Sequence, residues 1–439
     1  MQSLSFYNIV ETLLNPSILI VLTGCILIAI QSAAIGTITV LKKQSLSGDA
    51  IAHAVLPGLC MAFLLSGEKS SMLFLIGAAL TGWLGLFTIQ WLYSNTKLKK
   101  DAATGIILSV FFGIGILLLT FIQQTGNGQQ SGLDTFLLGK ASAMLPEDLL
   151  PLMISTTFIL GGILLLKKEF ILIIFDKEFA AFNGLPVSIL EFLLQLMLII
   201  AIVTGITATG AILIGSILII PYAIASFWKR DIDGILLIAI FSSIASSFLG
   251  ILITVFFPHI PTGATIVLVL SILFCISALF SPKRGILSRV NLQRKHHKQT
   301  IEDNILKYSY HHVEHNQSPL HPLPQKAMIP VEYMSSQVPE FQKYITQLQS
   351  HGFAEKYLDE SVICITKEGL LRGMKITRLH RLWEAYLIHA AKFDIDHIHD
   401  DAESIEHILT PELEQQLQSL LGNPMTDPHG EHIPPSYLH

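Results

Sequence analysis

Charge is scarce in this chain. Only 14% of its 439 residues are Asp, Glu, Lys or Arg, against 51% hydrophobic, which excludes an ordinary soluble globular protein. Cysteine is scarce too: four in all, Cys25, Cys60, Cys275 and Cys364, with no CxxC spacing. That excludes a disulfide framework or a thiolate zinc site as the organising principle, and leaves small buried hydrophobes as the expected role. The N-terminus lacks a basic n-region. Its first apolar stretch, residues 17–41, is uncharged and long, so it reads as a spanning helix and not a cleaved signal peptide. Histidine is nearly absent from the first two thirds: only His53 and His259 precede position 286, and the other 15 of 17 follow it.

The chain divides where histidine begins. Residues 1–285 carry 14 Lys+Arg and 13 Asp+Glu, whereas residues 286–439 carry 14 and 20 in about half the length. This predicts a membrane region followed by a water-soluble tail long enough for one or two small domains. Runs long enough to span recur at 17–41, 50–66, 71–93, 103–122, 147–166, 187–208, 210–228, 234–257 and 263–281, so about nine spans are expected. Residues 123–146 read as a loop with a short interfacial helix. With alternating spans, twelve Lys and Arg fall on one side, and only Lys69 and Lys140 on the other. The basic side is the cytoplasmic side, which predicts a cytoplasmic C-terminus and an outside N-terminus.

Two features of the membrane region carry chemistry. In "SLSGDAIAHAVLPG", Asp49 and His53 are four apart and share a helix face. A carboxylate and an imidazole there can ligate a divalent cation, or serve as a helix cap and a structural hydrogen bond. In "DKEFAAFNGLP", residues 176–186, a polar helical stretch between spans suits docking to a cytoplasmic partner, or is an ordinary loop.

"GDAIAHAVLPG" (48–58), "FAAFNGLPVSILE" (179–191), "TGAILIGSILIIPYAIA" (209–225) and "IPTGATIVL" (260–268) together resemble the permease subunits of ABC importers for manganese, zinc and iron, over residues 10–282. The resemblance implies a dimeric permease with its pathway at the dimer interface, next to a second permease copy. It also implies a cytoplasmic ATP-binding subunit and an extracytoplasmic metal-binding protein, in a bacterial cell membrane. It puts Asp49 and His53 on the transport pathway, and Asp176, Glu178 and Gly184 in the segment coupled to the ATPase. The sequence has no G-x-x-x-x-G-K-[ST], so the chain is not itself the enzyme and ATP hydrolysis is expected of the partner. His259, before "IPTG", is an outer metal contact or a solvated loop histidine.

In the tail, residues 283–300 form a basic connector suited to an anionic membrane face. Residues 286–378 are net +3 and residues 379–439 net −9, which fits a nucleic-acid binder joined to a cation sensor, or two solvated surfaces. An amphipathic helix is expected over 339–349, stopped at Gly352, with "ESVICITKEG" as a strand and turn. That is the order of a winged helix-turn-helix, in which Gln342, Lys343 and Thr346 would reach DNA. "RLHRLWEAYLIHAAKF" is helical, with His380 and Glu384 four apart. If 397–409 is a helix, His399, Glu403, Glu406 and His407 share one face, where they bind a cation or face water.

"TKEGLLRGMKITRLHRLWEAYL", "IHDDAESIEHIL" and "LGNPMTDPHGEHIPP" resemble the diphtheria-toxin-repressor family of metal-dependent regulators, closely over 366–435 and loosely over 300–365. The resemblance implies that His380, Glu384, His399, Glu403, Glu406 and His407 hold a divalent metal, with operator DNA as partner. Oxygen and nitrogen ligands without thiolate favour Mn²⁺ or Fe²⁺, with Zn²⁺ also possible, over Cu⁺ or a structural zinc. Asp303 is a further candidate ligand, but Leu306 stands where manganese sensors carry a second one, and the helix-turn-helix segment is unusually Pro-rich. His429, His432 and His439 are ligands or a solvated tail.

The expected fold is thus an all-α polytopic membrane region (1–285) and a connector (286–300). A winged helix-turn-helix-like α+β module (301–375) and a helical metal-binding and dimerisation domain (376–439) follow. Proteolysis in the connector would release the tail to the cytoplasm.

Overall fold

The computed structural model describes residues 15–66, 71–124, 144–257, 260–316, 322–359, 361–389 and 411–435. The chain forms two compact units, Met1–Arg289 and Val290–His439.

The first unit is helical throughout its described residues. Its helices are α1 (Pro16–Leu41), α2 (Ser45–Ser66), α3 (Ser71–Asn95), α4 (Lys100–Gln124), α5 (Pro146–Leu165), α6 (Lys167–Phe175), α7 (Lys177–Phe182), α8 (Val187–Thr209), α9 (Ala211–Trp228), α10 (Ile232–Phe256) and α11 (Thr262–Phe280). Asn15 caps α1 through its side chain, and Pro16 opens the helix where no N–H is needed. Among the described residues, eight of these helices are long and apolar enough to cross a membrane. The expected count was nine. The ninth expected run, 210–228, forms α9, 18 residues long, and is not among those eight. It is parted from α8 by Gly210 alone, at φ 78 and ψ 160, a backbone region that essentially only glycine enters.

Some buried polar groups of this unit join its helices. Gln31 of α1 is fully buried, and its amide donates to Thr204 Oγ1 on α8 at 2.8 Å and accepts from Ser155 Oγ on α5 at 2.8 Å. One side chain thereby ties three helices together in a medium without water.

The last membrane-unit residues lead into α12 (Ile286–Asn316), a 31-residue helix. The connector 286–300 is therefore helical, although residues 291–299 are exposed and show no apolar stripe. The second unit continues with β1 (Lys326–Pro330), α13 (Val331–Gln337), a 3₁₀ turn (Phe341–Tyr344), α14 (Ile345–Ser350), β2 (Ala354–Asp359), β3 (Val362–Thr366), α15 (Lys367–His389) and α16 (Pro411–Leu420). The sheet is antiparallel in the order β1-β3-β2. Leu306, Ile329, Met334, Phe341, Leu348, Ile365 and Leu370 build its core.

The single helix expected over 339–349 is instead a 3₁₀ turn and the six-residue α14. The apolar positions Phe341, Ile345 and Leu348 all reach the core, so the helical spacing that suggested one helix is satisfied by the tighter turn as well. Gly352 does end the segment, at φ 77. "KEG" is not a turn: Thr366 Oγ1 accepts from Gly369 N–H at 3.2 Å and α15 starts at once. The expected helix 397–409 and residues 125–143 of the loop 123–146 lie outside the described residues.

Candidate metal pathway and sensor

In the membrane unit, Asp49 and His53 both lie on α2, with Asp49 Oδ1 3.8 Å from His53 Nε2. Neither bland alternative holds. The helix begins at Ser45, so Asp49 is a full turn inside it and is not its cap. At 3.8 Å the pair is too long for a hydrogen bond, and His53 Nδ1 is buried with no hydrogen-bond partner among the described residues. The ring packs edge-on against Phe112, centroids 4.8 Å apart. On the other side, a Cβ at Gly215 of α9 would come within 3.0 Å of Asp49 Oδ1, so glycine lets that backbone close on the carboxylate. The result is one carboxylate and one imidazole with spare coordinating atoms, held by packing, within an apolar helix. His259 lies outside the described residues.

Within the segment 176–186, residues Lys177–Phe182 form the helix α7. The Asp176 carboxylate accepts from Phe179 N–H at 2.8 Å and caps α7, and Gly184 ends it at φ 77. Asp176 and Gly184 therefore shape the helix, while Glu178 is exposed. Phe175, Phe179 and Phe182 are also exposed, at 69%, 53% and 90%. Sequence reasoning passed over these aromatics, although "FAAF" in a polar stretch was the visible signal.

In the tail, α12 and α15 close on each other where a Cβ at Gly373 would meet the Leu306 carbonyl oxygen at 2.1 Å. Leu306 is fully buried there, which accounts for a leucine at a position where a ligand was expected. Around this contact runs a polar stripe of α12: Asp303, Lys307, His311 and Glu314. Asp303 holds Arg372 through both oxygens, at 3.0 and 3.2 Å. That guanidinium occupies the carboxylate proposed as a ligand.

Of the six stronger ligand candidates, His380 and Glu384 are described, and α15 brings them together: His380 Nε2 is 3.1 Å from Glu384 Oε1 with both side chains buried. Lys307 Nζ lies 3.3 Å from His380 Nδ1. An ammonium can only donate, so Nδ1 accepts and Nε2 carries the proton toward Glu384. A metal on Nε2 would displace that proton. His429 Nε2 stands 3.9 Å from the same Glu384 oxygen, closer than a solvated tail would place it. These nitrogen and oxygen donors fit a divalent metal ion. Among the described residues no three His, Cys, Asp or Glu are arranged to hold one, and His399, Glu403, Glu406 and His407 lie outside them.

Two buried arginines bind the C-terminal segment. Arg381 holds Glu314 at 2.8 and 2.9 Å and the His432 carbonyl at 2.6 Å, with Asp427 at 3.6 Å. Arg378 holds Glu414 at 2.8 Å, Gln418 at 3.0 Å and the Pro434 carbonyl. Beside Arg381, burial and the neighbouring charges of Arg381, Lys307 and His380 push the His311 imidazole down to about 3, and its Nε2 has no hydrogen-bond partner among the described residues. Unfolded histidine titrates near 6.5. Below that pH the unfolded chain takes a proton that the folded chain refuses, so stability falls with pH, by up to ~1.4 kcal/mol per unit. Urea midpoints of this unit at pH 7 and pH 5 should show that fall in the wild type, and a smaller one in His311→Phe.

The DNA-facing candidates are exposed: Gln342 and Lys343 on the 3₁₀ turn and Thr346 on α14. Lys343 is paired with Glu340 at 2.7 Å.

Residues 15–281 match the ABC 3 transport family, and residues 366–435 match the iron dependent repressor, metal binding and dimerisation domain. The manganese transport system membrane protein MntC of Bacillus subtilis is 34% identical over 412 residues, 93% of this chain and 92% of that protein. That alignment is longer than the whole membrane unit, so it reaches into the tail. The zinc transport system membrane protein TroC of Treponema pallidum is 36% identical over 63% of this chain and 92% of its own length. Among solved structures, PsaBC from Streptococcus pneumoniae in complex with Fab aligns at 29% identity with a TM-score of 0.58, covering 66% of this chain and all of that one. The chain belongs to the ABC 3 transport family, as an integral membrane permease-type protein that carries an iron-dependent-repressor-type metal-binding domain after its last membrane helix.

Proposed function

We propose that the chain is the permease of an ATP-driven importer of divalent transition-metal ions, Mn²⁺, Fe²⁺ or Zn²⁺, and that its tail senses the same class of ion in the cytoplasm. The observation that carries the transport reading is the Asp49–His53 pair, with an unpartnered imidazole nitrogen inside a membrane helix. Intramembrane ionisable groups are costly and mark ion pathways. A carboxylate and an imidazole strip part of a cation's water and replace it, while one pair of protein ligands holds the ion loosely enough to let it go.

An extracytoplasmic binding protein would deliver the ion, and a second permease copy would complete the pathway. A cytoplasmic ATP-binding subunit would dock on α7, whose exposed Phe179 and Phe182 offer apolar anchors beside Glu178. The excess of Lys and Arg on one side supports a cytoplasmic tail.

Two outputs of the tail are distinguishable. The repressor reading has metal order the tail dimer and raise its affinity for an operator, which requires tighter metal binding to the DNA-competent arrangement. The short α14, about 9 Å long at 1.5 Å per residue, and the paired Lys343 favour the second reading, in which metal binding regulates transport without DNA. Titrating Mn²⁺, Fe²⁺ and Zn²⁺ into the 286–439 fragment with DNA from upstream of its own gene, at fixed salt, decides between them. Metal-dependent, sequence-specific binding lost in Glu406→Ala establishes the repressor; metal binding with no DNA binding establishes the transport regulator. Release of the tail by proteolysis would need the helical stretch 286–300 to open first. An antibody to the tail that detects only full-length chain in cells would dismiss release.

A further inference from the structure

Glu191 lies in the first turns of α8, and each of its carboxylate oxygens serves a different element. Oε2 accepts from Lys177 Nζ at 2.9 Å, and Lys177 is the first residue of α7. Oε1 lies 3.2 Å from Lys42 Nζ, and Lys42 caps the C-terminal end of α1. The chain turns there through Lys43 at φ 58 and enters α2 at Ser45, two residues after Lys43 and four before Asp49. The Lys42 and Glu191 side chains are only 14% and 25% exposed, so bulk salt screens this pair less than a surface contact. One carboxylate thus bridges two ammonium groups from different elements.

We propose that Glu191 is a positioning residue that couples the α7 helix to the α1–α2 corner, and through it to Asp49 and His53. The inference rests on the transport reading above. Its physical basis is competition for a shared carboxylate. With both partners in place each ammonium holds one oxygen; when α7 is drawn away with Lys177, both oxygens pass to Lys42 and the corner tightens. These are two discrete arrangements of one network, which is what coupling between sites requires, and a docked ATPase that moves α7 biases one of them.

The test uses the whole chain, assembled with its ATP-binding subunit in proteoliposomes, and reads metal ions imported per ATP hydrolysed. In Glu191→Gln, ATP hydrolysis should stay within about twofold of wild type while uptake falls about tenfold, so the ratio falls with it. The charge exchange Lys42→Glu with Glu191→Lys restores that one pair but leaves Lys177 without its carboxylate, so the ratio should stay low; recovery would overturn the competition for a shared carboxylate. If Glu191→Gln fails to assemble, Lys42→Met is read in its place, with the same fall expected. An unchanged ratio overturns the proposal. So does an equal loss of hydrolysis and uptake, which would make Glu191 a residue of fold or docking. A wild-type complex that hydrolyses ATP without importing metal would overturn the transport reading itself, an outcome distinct from these.

Discussion

In Asp49→Asn, metal uptake falls at least about 100-fold while the chain still inserts and assembles. The carboxylate lies a turn inside α2, caps nothing, and sits against the bare backbone of Gly215. Asparagine keeps its shape, so packing is preserved and only the charge is lost. Loss of an outer partner of a metal ligand typically costs 10–100-fold, and a direct anionic ligand should cost more. Uptake of labelled manganese, compared with the amount of assembled complex, checks it. Near-normal uptake would remove Asp49 from the pathway. His53→Phe should also fail to transport, because it keeps the contact with Phe112 and removes the free nitrogen.

Arg381→Ala is the second large effect, and it acts on the tail. The guanidinium is 5% exposed and holds Glu314, the His432 carbonyl and Asp427. Removing it strands two buried carboxylates, a loss of about 3–5 kcal/mol for a buried pair broken on one side. Because the arginine joins α12, α15 and the 423–435 segment, that segment should lose its amide protection first, with His429 leaving Glu384. Hydrogen exchange on full-length chain would show fast exchange at 423–435 in the variant and slow exchange in the wild type. Equal protection would mean that the Arg378 contacts to Glu414, Gln418 and Pro434 suffice alone.

How much of this was legible depended on which force shaped each element. The spans were legible because a membrane demands long apolar runs, and the run at 210–228 does form the apolar helix α9. Its boundary, Gly210, was visible as a residue but not as a φ of 78. The α7 helix was readable from Asp176 and Gly184, which are local capping signals. In the tail, β2 went unread since "AEKYLD" carries three charges and pairs only with β3 at the sheet edge, where apolar alternation is not demanded. The helical connector went unread because its exposed residues show no stripe; it continues a helix whose later turns are buried.

The candidate site was legible in its spacing and not in its surroundings. His380 with Glu384, and Asp49 with His53, follow from i, i+4 geometry. The opposing stripe on α12 has the same kind of periodicity, Asp303, Lys307, His311 and Glu314, but such a row reads as a solvated face until Arg372 and Arg381 are found against it. Asp303 as a ligand now competes with that arginine pairing. His429 was undervalued because its partner Glu384 is 45 residues away in sequence and 3.9 Å away in space.

ATP-dependent uptake of manganese, iron or zinc into proteoliposomes holding the wild-type chain and its ATP-binding subunit is the most direct measurement. Accumulation of at least one of these ions, dependent on ATP and abolished in Asp49→Asn, is the expected result. ATP hydrolysis with no accumulation of any of the three, or accumulation indifferent to Asp49, would contradict a metal pathway through this chain.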